Sequence, residues 1–325
     1  MPTFANALPV ARQQFGIAKE ATKGTYAPPT AFPAWDTFNP DDKITMLPVV
    51  GLRGSMVTQF GSVQGVGVGE ISVGGAVYAD AIGWPLAGLL GDITTTGTVA
   101  PYVSALAVLN SGTGQPTSHS ITHNYQATHS RGYAASQWSE VALTYTAPDL
   151  AKFTAKSTSL LSAQETPAVA SYTAILPFAA WQCTCLIGGV ALTTVTEATV
   201  TMTRKLMVLN GLNGSQGPAQ IFLGDLDVKW KISGLADIAD GLLLEYLNNT
   251  QPALDLTMTQ STSAILQVHS SSVALDSAPF KADKDVIEID ASGTANGNVT
   301  DIGASGGYSP VKVTLTNAIA SGTYI

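Results

Sequence analysis

The chain has 325 residues, of which 45% are hydrophobic and 12% charged, with a formal net charge of −8 at pH 7. The hydrophobic share excludes global disorder, and the acidic balance argues against a general nucleic-acid binder, which needs basic residues to neutralise phosphates. Charge at about half the usual ~25% implies a surface partly covered by other subunits.

Residues 1–16 carry no continuous apolar core, since Arg12, Gln13 and Gln14 interrupt it, so no signal peptide is expected. Residues 1–42 are proline-rich (Pro28, Pro29, Pro33, Pro40) and interleaved with Phe32, Trp35 and Phe38. They read as an extended arm whose aromatics pack on this chain or on a neighbour. From Ile44 the pattern turns to β, with Thr, Val and Ile runs separated by Gly and Pro turns. The clearest hairpin joins 138–145 to 153–156 through Ala147-Pro148-Asp149. Two segments favour helix: 78–91, weakened by Gly83 and Pro85, and 235–247, where Leu235, Ile238, Leu242 and Tyr246 fall on one side. The apolar stretch 81–93 is too short to span a bilayer, so no membrane contact is expected. Cys183 and Cys185 are strand neighbours in a geometry poor for a disulfide, which fits folding in a reducing cytoplasm.

The two helical segments sit in matching surroundings, which suggests an internal repeat. Thr45-Met46 and Thr201-Met202 each open a strand. A glycine-punctuated stretch follows, and then Gly69-Glu70-Ile71-Ser72-Val73 matches Gly224-Asp225-Leu226-Asp227-Val228. Further strand candidates are 102–109 and 120–125 in the first half. In the second they are 253–259, 265–270 and a late hairpin of 286–290 with 310–316. The expected organisation is an arm (1–42), a first repeat (43–165) and a second (166–325).

A search for chemistry finds little. His119, His123 and His129 have no zinc spacing, and Cys183 with Cys185 lacks a second pair. No G-x-S-x-G elbow occurs. Gly65-Val66-Gly67-Val68-Gly69 is superficially like a phosphate loop but has no Lys-Ser/Thr ending. It reads as a glycine-rich strand with a close backbone approach. The chain is therefore read as non-enzymatic, with no cofactor and no metal.

The stretch Gly16-Ile17-Ala18-Lys19-Glu20-Ala21-Thr22-Lys23-Gly24-Thr25, then Ala27-Pro28-Pro29-Thr30-Ala31-Phe32, resembles the opening of major tail tube proteins of long-tailed phages, those of actinobacteriophages especially. Asp41-Asp42-Lys43-Ile44, Gly51-Leu52-Arg53-Gly54-Ser55, Gly83-Trp84, Leu89-Leu90-Gly91-Asp92, Leu109-Asn110-Ser111-Gly112 and Gln115-Pro116 extend the likeness. It covers residues 10–160 well and the rest loosely, and its weight lies in the joint order of motifs that carry no chemistry.

The resemblance implies a mainly β fold: a tandem duplicated tail-tube-like β-sandwich or barrel, each copy with one flanking α-helix. It implies a structural virion protein of the tail, assembled in the host cytoplasm, that polymerises into stacked rings conducting DNA without binding it specifically. Tape measure, tail terminator and distal tail proteins are the implied partners besides the chain itself. Two copies per chain favour trimeric, pseudo-hexameric rings over a hexamer in which one copy lines the bore and the other lies elsewhere. Candidate bore strands are 44–49 with 66–75 and 197–204 with 221–232. Candidate wall acids are Glu70, Glu197, Asp225 and Asp227, since an acidic or neutral wall would not hold DNA. Stacking is expected from 47–65 and 204–220, with Leu52, Arg53, Gly54, Arg204, Lys205 and Asn210 as candidates. The alternative is a capsid decoration or fibre-type β-sandwich protein.

Overall fold

A computed structural model describes residues 9–126, 128–236, 241–282 and 286–325. The chain opens with β1 (Gln14–Lys19) and a long hairpin of β2 (Thr37–Val50) and β3 (Gln59–Ala76). A short helix, α1 (Gly83–Leu90), leads into β4 (Gly91–Thr96) and β5 (Tyr102–Val108). Then come β6 (His119–Gln126), β7 (His129–Thr146), β8 (Lys152–Ser159) and β9 (Ala163–Glu165). Next are β10 (Cys183–Ile187), β11 (Val190–Ala191) and a second long hairpin of β12 (Val195–Leu209) and β13 (Gln220–Leu235). After α2 (Gly241–Asn248) follow β14 (Leu254–Ser261), β15 (Ala264–Ser270), β16 (Val273–Ser277), β17 (Phe280–Lys281), β18 (Glu288–Ala295) and β19 (Lys312–Asn317).

These strands form two antiparallel sheets. The larger runs β16-β18-β13-β12-β7-β8-β3-β2, with β1, β6, β9 and β17 attached at its sides. The smaller runs β11-β10-β14-β15-β19-β5-β4. Alternation places one face of the long ladder strands inward: along β12, Ala198, Val200 and Met202 are buried while Thr199, Thr201 and Thr203 are not. The inward faces share one core, containing Trp138 of β7, Trp230 of β13 and Trp84 of α1. All eight residues of α1 are buried, in contact with β7 on one side and β4 and β5 on the other. Gly91 ends α1 in the left-handed conformation (φ 85°) that its missing side chain permits.

The same four-strand ladder occurs twice in the larger sheet. In β2-β3-β8-β7, Val141, Ala142 and Leu143 lie opposite Ala155, Thr154 and Phe153. In β12-β13-β18-β16, Val273, Ala274 and Leu275 lie opposite Ala295, Thr294 and Gly293. Val141-Ala142-Leu143 thus matches Val273-Ala274-Leu275, and Thr154-Ala155 matches Thr294-Ala295. The match of 69–73 with 224–228 is kept: Val73 pairs with Phe38 as Val228 pairs with Met202. The equivalence Thr45-Met46 with Thr201-Met202 is not; the ladders equate Thr37-Phe38 with Thr201-Met202.

Other expectations shift. The first helix is shorter than 78–91. In the second, Leu235 ends β13 and α2 starts at Gly241, while residues 237–240, including Ile238, lie outside the described residues. Segments 286–290 and 310–316 do not form a hairpin: β18 joins the larger sheet and β19 the smaller, because the long loop between them crosses from layer to layer. Within 1–42, β1 pairs with β6 and β2 begins at Thr37. The aromatics pack on the same chain: Trp35 meets Phe15, Trp138 and Phe153, and Phe38 meets His123.

Candidate assembly surfaces

The outward face of the larger sheet is a field of short polar side chains. Register places Thr37, Asn39, Ser72, Thr154, Thr144, Thr199, Thr201, Thr203, Ser233, Ser292 and Thr294 on it. Among them stand the lysines Lys43, Lys152, Lys156, Lys229, Lys231 and Lys281 and the carboxylates Asp41, Glu70, Glu140, Glu197, Asp227, Glu288 and Asp290. The charges largely pair. Lys43 meets Glu70, Lys156 meets Glu140 at 3.1 Å, and Lys229 lies 3.7 Å from Asp227. Such exposed pairs add little stability, but they cancel the field a run of lysines would project. Of the acids singled out from sequence, Glu70, Glu197 and Asp227 share this face. Asp225 is exposed where the β12–β13 ladder shifts register beside Arg204.

The sheet ends in two edges. Among the described strands, β2 pairs with β3 alone and β16 with β18 alone, with the start of β16 also bonded to Pro252 O through Val273 N–H. Pro40 and Pro48 sit in β2, where proline is tolerated because an edge strand has no second partner.

Because β2 and β12 run in the same direction, both long hairpins project from one end of the sheet. The tip of the first carries Leu52 and Met56 fully exposed, with Arg53 stacked 4.5 Å from the Phe60 ring centroid. Gly54 has φ 66° and open space around it. Lys205, Asn210 and Leu212 are exposed on the second. Arg204 is turned inward: it is 6% exposed and donates to the carbonyls of Gly224 (2.8 Å), Leu89 (3.2 Å) and Gly114 (3.2 Å). Leu89 belongs to the last turn of α1, whose unpaired carbonyls attract a cation. This removes Arg204 from the stacking candidates.

The glycine run 65–69 also finds its role. Gln216, from the second hairpin, accepts from Gly67 N–H at 3.0 Å and donates its amide to Gly65 O at 2.9 Å. A Cβ at Gly67 would stand 3.0 Å from Ile44 and Leu161 side chains. The close approach lies within the first half, while the Gln216 bonds join this strand to the second half.

Sequence reasoning missed what organises the N-terminal motif. Glu20 is buried, and its carboxylate accepts from Gly24 N–H, Ser118 and Ser120 hydroxyls and Ala135 N–H at 2.6–2.8 Å. Lys23 donates to Ile221 O at 2.6 Å. The motif ties the arm to β6, β7 and β13.

The histidines divide. His119 is fully buried: its Nδ1 accepts from Trp138 Nε1–H (3.2 Å) and its Nε2 reaches Tyr324 O (2.9 Å). Burial pulls it down to about 4, so it is neutral. His269 lies between Asp255 (3.1 Å) and Ser271 (3.2 Å), an outline like a catalytic triad. Yet Ser271 donates its proton to Asp301 (2.8 Å), and the Asp255 contact raises His269. With the Ser271 proton committed to Asp301, and Asp301 itself 3.7 Å from His269 Nε2, the group reads as a structural clasp and not as a nucleophile with its base. Burial pushes the Cys183 and Cys185 thiols up to about 12. Among the described residues, no three His, Cys, Asp or Glu side chains are grouped to hold a metal ion, and no helix is long and apolar enough to cross a membrane.

Two sheets on one core, with a polar outer face, open edges and projecting hairpins, define a mainly β structural protein whose surfaces suit contact with other chains. A family model described as phage tail tube protein matches residues 10–300, and the chain belongs to that family. It is a structural protein of the phage tail tube. No curated protein matches it.

Proposed function

We propose that this chain polymerises into stacked rings forming a tail tube, with three chains per ring and the Ser/Thr face of the larger sheet lining a bore that conducts DNA. The observation that carries the reading is the four-strand ladder repeated within one continuous sheet and left open at both ends. Open edges invite pairing, and a heterologous contact closes into a ring if its rotation allows. Both halves occupy the same sheet, which favours a ring in which both line the bore over one in which a single copy does. The units would be 43–165 and 166–325, with the first 42 residues as an arm whose end, from Thr37, already runs in β2.

Size supports the same number. Eight strands from each of three chains give 24. At about 4.8 Å spacing and about 40° tilt, they close a cylinder of roughly 50 Å backbone diameter. A single chain's strands would enclose only side chains, and six chains would enclose roughly twice that width, leaving a duplex unguided. Paired charges and hydroxyls leave little net attraction for phosphate, so DNA slides. The projecting hairpins, with Leu52, Arg53, Gly54, Lys205 and Asn210, meet the next ring. Tail terminator, tape measure and distal tail proteins complete the tail, assembled in the host cytoplasm.

Mass photometry and negative-stain microscopy of the purified chain test this. Hollow filaments growing with concentration are expected. A trimer that never elongates contradicts the tube and favours a decoration protein.

A further inference from the structure

We infer that the seam between neighbouring chains copies the β7–β12 joint inside each chain, with β16 of one copy beside β2 of the next and Ala274 opposite Thr37. This deepens the ring reading and rests on it.

Within the chain, the two ladders meet where β7 pairs with β12, and Ala142 lies opposite Thr201. Ladder equivalence makes β16 the counterpart of β7 and β2 the counterpart of β12. Ala274 then stands for Ala142, and Thr37 for Thr201. Laying β16 beside the next copy's β2 in the same register puts Ala274 opposite Thr37 and Val273 opposite Phe38.

Three independent features agree. Side-chain parity is preserved: Ala274 and Thr37 belong to the polar face, whereas Val273 is buried and Phe38 packs against the core. Backbone direction is right as well. Ser272 O accepts from the N–H of Asn296, just after β18, so the Val273 N–H on the same peptide turns away from β18. That donor is already taken by Pro252 O at 3.0 Å, so the seam would start after it, using the Val273 carbonyl and Leu275 N–H, which alternation turns to the same side. Finally, β16 is pressed onto its own ladder at a glycine: a Cβ at Gly293 would stand 2.5 Å from Ala274 O. The edge is thus held in place before a neighbour arrives.

Alternation also makes Ala274–Thr37 a pair without mutual hydrogen bonds, where Cα atoms lie about 4.5 Å apart and a disulfide fits. The test is the double variant Ala274→Cys/Thr37→Cys, assembled under reducing conditions and then oxidised with oxidised glutathione, which takes up the two electrons and two protons of each new S–S bond. A reducible species of three chains and none larger is expected, with neither single variant giving it. A ladder closing at six chains keeps the seam and overturns the three-chain ring. Tubes that form but never cross-link overturn the seam alone, and absence of any assembly overturns the tube reading too. Hydrogen exchange on the wild-type chain guards against a variant that fails to assemble. Peptides covering 36–40 and 273–278 are expected to gain protection on assembly, and unchanged exchange there contradicts the seam.

Discussion

Arg204 shows how a residue's surroundings decide its role. Its place beside a glycine-punctuated hairpin suggests a cation reaching for a neighbouring ring, but three backbone carbonyls hold it inside. Replacing it by Leu strands buried acceptors, at about 1–3 kcal/mol for each unsatisfied group. Arg204→Leu is therefore expected to lower the urea midpoint of the isolated chain, while Lys205→Ala leaves it unchanged. Equal midpoints for both variants contradict the inward role.

His119 gives a pH signature. Unfolded, an imidazole titrates near 6.5; here burial holds it at about 4. Between those values the unfolded chain binds the proton more strongly, so stability rises with pH and is lost on acidification, by about 3 kcal/mol in all. His269 acts oppositely, since its raised value adds stability that fades as pH climbs through it. Denaturation midpoints between pH 6.5 and 4 are expected to fall more steeply in the wild type than in His119→Gln. Parallel slopes would mean the ring is not held neutral.

Among the elements, the long hairpins were legible because alternation and glycine turns mark them directly. Segment 197–204 pairs within 226–233 much as expected, but 44–49 pairs with 61–67, and 68–74 pairs instead with 37–43, because β2 starts earlier than its prolines suggested. An edge strand tolerates Pro40, and sequence alone does not reveal an edge. The repeat was visible in its Gly-acid-aliphatic trio. Its partner was misread at Thr45-Met46, because strand pairing and not dipeptide identity sets equivalence. The Val-Ala-Leu match escaped notice because its two copies lie at different distances from the trio. The charge cancellation on the polar face was also hidden, since Lys156 meets Glu140 only through cross-strand register.

The hairpin tips carry the element-scale prediction. Leu52 and Met56 touch nothing that would keep them from water within the chain, and exposed apolar side chains of this kind suit an interface. Leu52→Asp/Met56→Asp is expected to leave thermal stability within about 0.5 kcal/mol of wild type, as remote surface changes do. Elongation is expected to fail, with ring-sized species left in mass photometry. Normal filaments from this variant would exclude the first hairpin from stacking.

At the scale of the whole molecule, the bore must pass a polyanion without gripping it. Glu70→Gln/Glu140→Gln releases Lys43 and Lys156 from their partners while keeping side-chain volume. Tubes of this variant are expected to retain duplex DNA at low salt and release it as salt rises, unlike wild-type tubes. Identical behaviour of the two in a filter-binding assay would place this face away from the DNA path.

The most direct measurement is a cryo-EM reconstruction of tubes grown from the purified chain alone. The expected map shows three chains per ring, six near-equivalent four-strand units around one continuous barrel, and the Thr199–Thr201–Thr203 side of β12 facing the lumen. A ring of six chains, or a wall in which only one half of each chain reaches the lumen, would contradict it.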